Sequence, residues 1–335
     1  MRVVLTASLF TVVFLAATVV PRHGVRRSHA SSRRPTALDG DFADPFVLST
    51  QQGYFAFATG TRGSHLQVAR SRDLAAWTRA ADPLPALPTW ARDEAGVTWA
   101  PSVLPRASGY VLYYTTRDRR SGYQCISAAR GARAEGPYLD RSPRPLVCQV
   151  DTDAALCGSI DPSPFVDGGG RPYLLWKSDE NSQRCRTAPR IWSQRLSEDG
   201  LSLVDQPAAL MARDRDWEGD IVEAPSMAAQ DGHYYLFYSG NWYASSRYAV
   251  GYATCAGPLG PCQKVTVAAP FLGSTDAALG PGGQELFRGA DGTLWMAYHA
   301  WTAPQTDYAH GGARSLRLAR VGFDARGPAL SAPRL

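Results

Sequence analysis

The sequence predicts an all-β fold, and more specifically a five-bladed β-propeller. Five stretches share one plan, in which a proline and a short apolar run precede a turn and an aromatic-rich strand. Successive prolines of this pattern lie 56, 61, 63 and 56 residues apart, at Pro45, Pro101, Pro162, Pro225 and Pro281. A repeat of strand-turn-strand units with aromatic strands is typical of propeller blades. No long segment has helical periodicity, which favours a single all-β domain.

Each unit contains further strand-like stretches in the same order. The strand after each turn is rich in aromatic residues, in stretches 53–57, 109–114, 172–176, 233–238 and 294–299. A third strand follows in each unit, at 65–70, 126–129, 191–196, 248–253 and 315–319. Gly-Pro and Asp-Gly pairs separate these stretches and predict turns. Five such units predict five blades, in a domain over residues 36–335.

The N-terminus carries a separate segment. Met1-Arg2 precedes an unbroken apolar or small stretch from Val3 to Val20, as in an export signal or an N-terminal membrane anchor. Residues 1–30 are therefore assigned to a signal peptide or anchor with a basic linker. Both interpretations place the bulk of the chain outside the cytoplasm, either secreted or anchored on the outer face of the membrane.

Cysteine usage and charge agree with an exported protein. Cys255 and Cys262 bracket a turn-rich hexapeptide and are predicted to form a disulfide, while three pairings remain open for Cys125, Cys148, Cys157 and Cys185. No cysteine pair has the spacing of a zinc or redox site. The net charge of +5 arises from six arginines before residue 35, which leave 35 − 6 = 29 basic against 30 acidic residues. Nucleic acid is therefore not an expected partner.

Three carboxylates occur at or next to the repeated prolines. They are Asp44, Asp161 and Glu223 in units 1, 3 and 4, whereas units 2 and 5 have Ala100 and Gly280 near their prolines. The fold therefore does not require an acid there. Equivalent positions on innermost strands converge on the axis of a propeller, and carboxylates that meet there repel one another. Paired carboxylates are the groups that glycosidic bond cleavage needs.

The ordered motifs around these prolines resemble glycoside hydrolase family 43 over residues 40 to about 322. They are Phe42-Ala43-Asp44-Pro45, Thr98-Trp99-Ala100-Pro101-Ser102, Ser159-Ile160-Asp161-Pro162-Ser163, Val222-Glu223-Ala224-Pro225 and Gly280-Pro281-Gly282. The resemblance implies a five-bladed propeller and an inverting mechanism. It implies that Asp44 is the general base, Glu223 the general acid, and Asp161 a third acid that tunes the pKa and orientation of Glu223.

The resemblance also implies a metal and one sugar contact, and the position of Trp99 before the second-blade proline suggests another. His299 matches a histidine near the axis that binds a metal, usually calcium and mostly through water, although a lone histidine that ends an apolar strand is also typical of a hydrogen-bonded core residue. Arg314 resembles a late arginine that contacts sugar hydroxyls, with a surface salt bridge as the alternative role. Trp99 could stack on a sugar ring at the mouth of the cleft. No organic cofactor is expected.

The predicted function is hydrolysis of α-L-arabinofuranosyl linkages, in arabinan or as side chains, with a polysaccharide or oligosaccharide as substrate. A β-xylosidase or a galactofuranosidase on the same fold is the alternative, because Gly283-Gln284-Glu285 replaces the His-Asn that many relatives have after Gly-Pro-Gly. A fructan-cleaving propeller is less consistent with the motifs Ala-Asp-Pro, Ile-Asp-Pro and Glu-Ala-Pro of this chain, and a non-catalytic carbohydrate-binding propeller is less consistent with the three acids. The protein is expected to be a monomer, with membrane contact only if the N-terminal segment is uncleaved.

Overall fold

The computed structural model describes residues 36–332, except 152–155, 182–184 and 186–187. It contains five four-stranded antiparallel sheets in chain order, which confirms the five-bladed propeller. Blade 1 consists of β1 (Phe46–Thr50), β2 (Gly53–Thr61), β3 (Ser64–Ser71) and β4 (Thr78–Arg79). Blade 2 consists of β5 (Trp99–Arg106), β6 (Gly109–Arg117), β7 (Gln124–Gly131) and β8 (Tyr138–Leu139).

The remaining three blades follow a short two-stranded element, β9 (Val150–Asp151) with β10 (Leu156–Cys157). Blade 3 consists of β11 (Ser159–Val166), β12 (Pro172–Ser178), β13 (Arg190–Leu196) and β14 (Leu203–Ala212). Blade 4 consists of β15 (Val222–Gln230), β16 (His233–Gly240), β17 (Ala249–Cys255) and β18 (Cys262–Lys264). Blade 5 consists of β19 (Leu279–Arg288), β20 (Leu294–Trp301), β21 (Arg314–Asp324) and β22 (Gly327–Ser331). Among the described residues, the only helix is a single 3₁₀ turn at Asp216–Glu218.

The hydrophobic core lies between the blades, in five clusters that each join two neighbours. Phe57 of blade 1 packs with Leu112 of blade 2, and Leu175 of blade 3 packs with Leu236 of blade 4. Equivalent clusters join blades 2 and 3, blades 4 and 5, and blades 5 and 1. Every blade therefore buries apolar side chains against both of its neighbours.

The ring closes where the described chain begins. The backbone N–H of Ala37 donates to the carbonyl of Leu316 at 2.8 Å, and that of Phe42 donates to the carbonyl of Arg314 at 2.8 Å. These bonds run along the first half of β21, which β22 does not reach because its pairing begins at Arg320. The segment before blade 1 therefore joins blade 5 and delivers Asp44 to the seam between the two blades.

Three disulfides stabilise the described part of the chain, which contains no free cysteine. Cys255–Cys262 joins β17 to β18, as predicted. The pairs Cys125–Cys148 and Cys157–Cys185 select one of the three pairings that the sequence left open. No helix in residues that the structure describes is long and apolar enough to cross a bilayer. The predicted signal or anchor in residues 1–30 lies outside the described residues.

Candidate active site

The residue before each repeated proline adopts a left-handed backbone conformation. The φ angles lie between 44° and 56°, at Asp44, Ala100, Asp161, Ala224 and Gly280. Four of these residues are not glycine, and each such conformation costs about 1–3 kcal/mol. In blades 2 to 5 the pairing between the two inner strands is interrupted by a bulge at this point. Each innermost strand therefore turns sharply near its start, through a residue with a left-handed backbone conformation.

Glu223 does not share this repeat position, because Ala224 occupies it in blade 4. The carboxylate of Glu223 comes one residue earlier, at the position that Trp99 has in blade 2. The three acids thus belong to two neighbouring positions of the repeat rather than to one matched position.

A second ring of residues reaches from each blade to the next. Each member lies near the end of the second strand of its blade. In blade order they are Thr59, Thr115, Lys177, Ser239 and His299. Thr59 and Thr115 accept hydrogen bonds from the backbone N–H groups of Ala100 and Asp161, at 3.0 and 3.2 Å. Ser239 accepts one from Gly283 at 3.0 Å. Lys177 instead approaches Glu223, and His299 accepts from the N–H of Asp44.

Asp44 is held as a carboxylate. The hydroxyl of Thr59 donates to its Oδ2 at 2.6 Å, and Nη1 of Arg314 lies 3.4 Å from its Oδ1. Burial by itself would raise the pKa of Asp44, but the charge of Arg314 and the hydrogen bond from Thr59 outweigh burial and hold this pKa below its usual value. Asp44 is therefore ionised at neutral pH and able to accept a proton.

Asp161 has the opposite electrostatic character. Its Oδ2 accepts a hydrogen bond of 2.9 Å from the backbone N–H of Ala224, the residue next to Glu223. Burial and then the negative charge of Glu223 raise the pKa of Asp161 to about 8, although Lys177 acts against them. Asp161 therefore keeps its proton at neutral pH.

The carboxylate of Glu223 is held at both oxygens. Its Oε1 accepts a hydrogen bond of 2.8 Å from the hydroxyl of Tyr248, and its Oε2 lies 3.4 Å from Nζ of Lys177. Lys177 is only 1% exposed and also lies 3.0 Å from Oδ1 of Asp179. Burial lowers the pKa of Lys177, but the surrounding carboxylates, Asp179 first, raise it overall, so the ammonium stays charged. These contacts fix the position of the Glu223 carboxyl group.

The two predicted sugar contacts lie in different surroundings. Trp99 begins β5, is partly exposed and donates its indole N–H to the carbonyl of Gly96 at 2.7 Å. Arg314 is buried behind Asp44 and donates from Nε to the hydroxyl of Tyr308 at 2.9 Å. The guanidinium of Arg314 is therefore not part of a surface salt bridge, because its ion-pair partner among the described residues is the candidate base.

The family follows from this ordered set of acids and from the comparison of the whole chain. The model of glycosyl hydrolases family 43 matches residues 33–328, nearly all of the described chain. The chain belongs to glycoside hydrolase family 43. It is therefore a glycoside hydrolase, as the motifs around its prolines predicted.

Relatives within the family differ in their named substrates. An extracellular endo-α-(1→5)-L-arabinanase of Bacillus subtilis (strain 168) is 24% identical over 266 residues, which cover 73% of this chain and 77% of that protein. A thermostable family-43 glycoside hydrolase is 27% identical, with a TM-score of 0.77 over 89% of this chain and 95% of the other. A structure named endo-1,4-β-xylanase, from Bacteroides thetaiotaomicron VPI-5482, is also 27% identical, with a TM-score of 0.72 over 89% and 96%.

The metal that family 43 implies has little direct support from protein ligands. No group of three or more His, Cys, Asp or Glu side chains in the described ranges is arranged to hold a metal ion. Since Nδ1 of His299 accepts the N–H of Asp44, the neutral imidazole carries its proton on Nε2. Burial lowers the pKa of His299 to about 3, so the ring is neutral at physiological pH. Nε2 is buried with no hydrogen-bond partner among the described residues, and it can donate only to a water, including one bound to calcium.

Sequence reasoning missed several residues of this candidate site. Gln284 and Glu285 line the axial cavity with Asp44 and Asp161, in a space of about 20 Å³. Gln284 donates to the carbonyl of Ala224 at 2.7 Å and thereby links blade 5 to blade 4. The second ring, with Lys177, was also missed, although aligning the aromatic strands of the five units would have shown it. The sequence Gly283-Gln284-Glu285 was noted because it replaces the His-Asn of many relatives, but the sequence did not show that these residues line the axial cavity.

Proposed function

We propose that this protein hydrolyses α-L-arabinofuranosyl linkages, in arabinan or as side chains, by single displacement with inversion. The observation that supports this mechanism is the contrast between the two halves of the site. Asp44 has a lowered pKa beside Arg314, whereas burial and the charge of Glu223 raise the pKa of Asp161 to about 8, so Asp161 keeps a proton at neutral pH. An inverting glycosidase needs one ionised and one protonated carboxyl group on opposite sides of the scissile bond.

In the proposed reaction, Asp44 removes a proton from a water molecule while the oxygen of that water attacks the anomeric carbon. The bond between this carbon and the leaving oxygen breaks, and Glu223 donates its proton to that oxygen. Asp44 ends protonated and Glu223 ends as a carboxylate, so charge is balanced. Lys177, 3.4 Å from Oε2 of Glu223, stabilises the carboxylate that remains. Asp161 positions the acid through the backbone of Ala224.

The choice of arabinofuranose rests on the name of the Bacillus subtilis relative, an arabinanase. A xylan-directed activity is the second candidate, because a structure that is 27% identical is named an endo-1,4-β-xylanase. Both use the same acids, so the two proposals differ only in which sugar ring fits over Arg314 and Trp99. Galactofuranosides are the third class to include in a substrate panel.

The test is a substrate panel with two variants. Purified protein is assayed on nitrophenyl α-L-arabinofuranoside, β-D-xylopyranoside and β-D-galactofuranoside, and on linear arabinan and xylan. We expect turnover of the arabinofuranosyl substrates, and proton NMR of the first-formed product should show the inverted anomer. Asp44→Asn should abolish turnover, whereas Asp276→Asn, in an exposed loop, should not change it. A retained anomer, or full activity of Asp44→Asn, would contradict the mechanism.

We also propose that the enzyme acts outside the cytoplasm as a monomer. Three disulfides stabilise the described chain, and disulfides persist in oxidising compartments. The Bacillus subtilis relative is named extracellular. Thiol labelling of the exported protein, without reduction, should modify no cysteine, and gel filtration with light scattering should give the mass of one chain.

A further inference from the structure

Exposed aromatic side chains are confined to one region of the described surface. Among the described residues, the exposed large aromatic residues are Trp242, 51% exposed, and Tyr308, 46% exposed. They come from loops 66 residues apart in the chain. Tyr308 contacts Arg314 directly, and Tyr243, the neighbour of Trp242, packs on the same guanidinium at 4.7 Å. Exposed aromatic residues that gather beside an active site are typical of ligand-binding surfaces.

The backbone around Trp242 is held rigidly although its ring is in solvent. Asn241 has a left-handed φ of 76°, and its side chain accepts the N–H of Trp242 at 2.9 Å while donating to the carbonyl of Trp217 at 3.2 Å. On the other side, the indole N–H of Trp301 donates to the carbonyl of Tyr243 at 2.7 Å. A platform whose backbone is fixed before binding loses little conformational freedom when a ligand stacks on it.

The loop that carries Trp242 is connected to the candidate acid. It leaves β16 directly after Gly240, which pairs with Val222, the residue before Glu223. It ends at Tyr248, whose hydroxyl donates to Oε1 of Glu223 at 2.8 Å. Both ends of the loop that carries Trp242 therefore lie beside Glu223, the group proposed to protonate the leaving oxygen.

We infer that Trp242 is the stacking platform for the sugar ring on the leaving-group side of the scissile bond. The ligand is a neutral furanose or pyranose ring within an oligosaccharide, whose C–H face packs on the indole. This inference rests on the proposed glycosidase function. Tyr308 has a different role, because its hydroxyl contacts Arg314 rather than open solvent, and it positions the guanidinium beside Asp44.

The experiment compares two substrates that differ only in the leaving group. One is the unsubstituted disaccharide of the sugar that the substrate panel selects, and the other is the corresponding glycosyl fluoride, whose leaving group has no ring. Trp242→Ala should lower kcat/KM on the disaccharide by about tenfold and leave kcat/KM on the fluoride unchanged. Trp242→Phe should recover most of the loss. Leu259→Ala, an exposed hydrophobic residue elsewhere on blade 4, is the matched control and should change neither substrate.

Tyr308→Phe distinguishes the positioning role of Tyr308 from the stacking role of Trp242. It keeps the ring but removes the bond to Arg314, so it should lower kcat/KM on both substrates by the same factor. An equal loss on both substrates in Trp242→Ala, or no loss on the disaccharide, would overturn the inference while leaving the glycosidase proposal intact. If wild-type protein cleaves no sugar in the panel, the proposed function fails first, and the two failures are distinguishable. Equal melting temperatures of the variants exclude misfolding as the cause.

Discussion

The imidazole of His299 accepts a hydrogen bond of 3.0 Å from the backbone N–H of Asp44, across the seam between blades 5 and 1. His299 thus occupies the place in the repeat where Thr59 and Thr115 use a hydroxyl for the same task. Its ring also stacks on Tyr248 at 5.8 Å and 10°, and Tyr248 donates to Glu223. One buried residue therefore supports the proposed base directly and the proposed acid through a single neighbour.

The close approach of Gly283 to this histidine explains part of the unusual Gly283-Gln284-Glu285 sequence. A Cβ at residue 283 would lie 2.5 Å from Cε1 of His299 and 2.9 Å from Oδ1 of Asp44. Gly283 also has a φ of 56°, which side chains other than glycine rarely adopt. Any side chain here would displace either the histidine or the base, so this position requires glycine.

Removing the charge of Arg314 should move the acidic limb of the pH profile upward. Arg314 opposes the effect of burial on Asp44, so Arg314→Met leaves burial unbalanced and raises the pKa of Asp44. The base is then protonated at a higher pH, and kcat/KM falls at acidic pH first. The measurement is kcat/KM from pH 3 to 8. Arg314→Lys keeps the positive charge, so its kcat/KM at acidic pH should stay closer to that of wild type. Identical acidic limbs in wild type and Arg314→Met would show that Arg314 does not lower the pKa of Asp44.

Removal of the Glu223 carboxyl group should lower kcat most on substrates whose leaving group must be protonated. Glu223→Gln should lower kcat by about 10²–10⁴-fold on an oligosaccharide, because general acid catalysis contributes about that factor. On a dinitrophenyl glycoside, which departs without protonation, the loss should be less than about tenfold. Glu198→Gln, on an exposed turn, is the matched control. A loss of equal size on both substrates would show that Glu223 is not the proton donor.

Much of this candidate site could be predicted from the sequence because its acidic residues stand at or next to repeated positions. The prolines mark one corner in each blade, and Asp44 and Asp161 stand directly before two of them, where the chain turns at the axis. Glu223 was found for the same reason, although it lies one residue before the left-handed position. The contacts of Arg314 could not be predicted, because its approach to Asp44 depends on closure of the ring across 270 residues. Spacing in the chain contains no information on such a contact.

Other features of the candidate site depend on contacts between blades, which local sequence patterns do not predict. The aromatic strands predicted a hydrophobic core, but they did not show that one residue at or just beyond the end of each aromatic run reaches the next blade. Lys177 follows Trp176 in a strand whose described side chains are all buried, and a lysine there looks unfavourable until Glu223 and Asp179 are brought beside it. The pairing of four cysteines was open for the same reason, since it depends on how loops of blades 2 and 3 meet.

Chelation and mutation of His299 should have different effects. His299→Ala removes the partner of the Asp44 N–H and the ring that stacks on Tyr248, so it should lower activity at least about a hundredfold and also lower the melting temperature. Wild-type protein treated with a chelator keeps both contacts and should keep more activity than the variant. Activity and melting temperature are measured with and without added calcium. If the chelated wild type matches His299→Ala in both, and calcium restores it, the main role of His299 is to hold the metal.

Replacement of Glu285 should stabilise the protein in a pH-dependent way. Glu285 lies in the axial cavity, where the hydroxyl of Ser226 donates to its Oε2 at 2.6 Å. Burial raises the pKa of Glu285 to about 8 from an ordinary value of 4.5. Between these two values the unfolded chain loses the proton and the native protein keeps it, so the contribution of this group to stability is present below pH 4.5 and is lost as the pH rises towards 8.

Glu285→Gln keeps the size of the side chain and an oxygen that can accept from Ser226, but it does not titrate. Its free energy of unfolding should therefore exceed that of wild type by about 1–3 kcal/mol near pH 8, and the difference should vanish or reverse near pH 4. Urea unfolding at pH 4, 6 and 8 measures this, with Glu198→Gln, the same change on an exposed turn, as the control. A difference that is the same at all three pH values would show that the pKa of Glu285 is the same in the native and the unfolded protein, and would contradict this prediction.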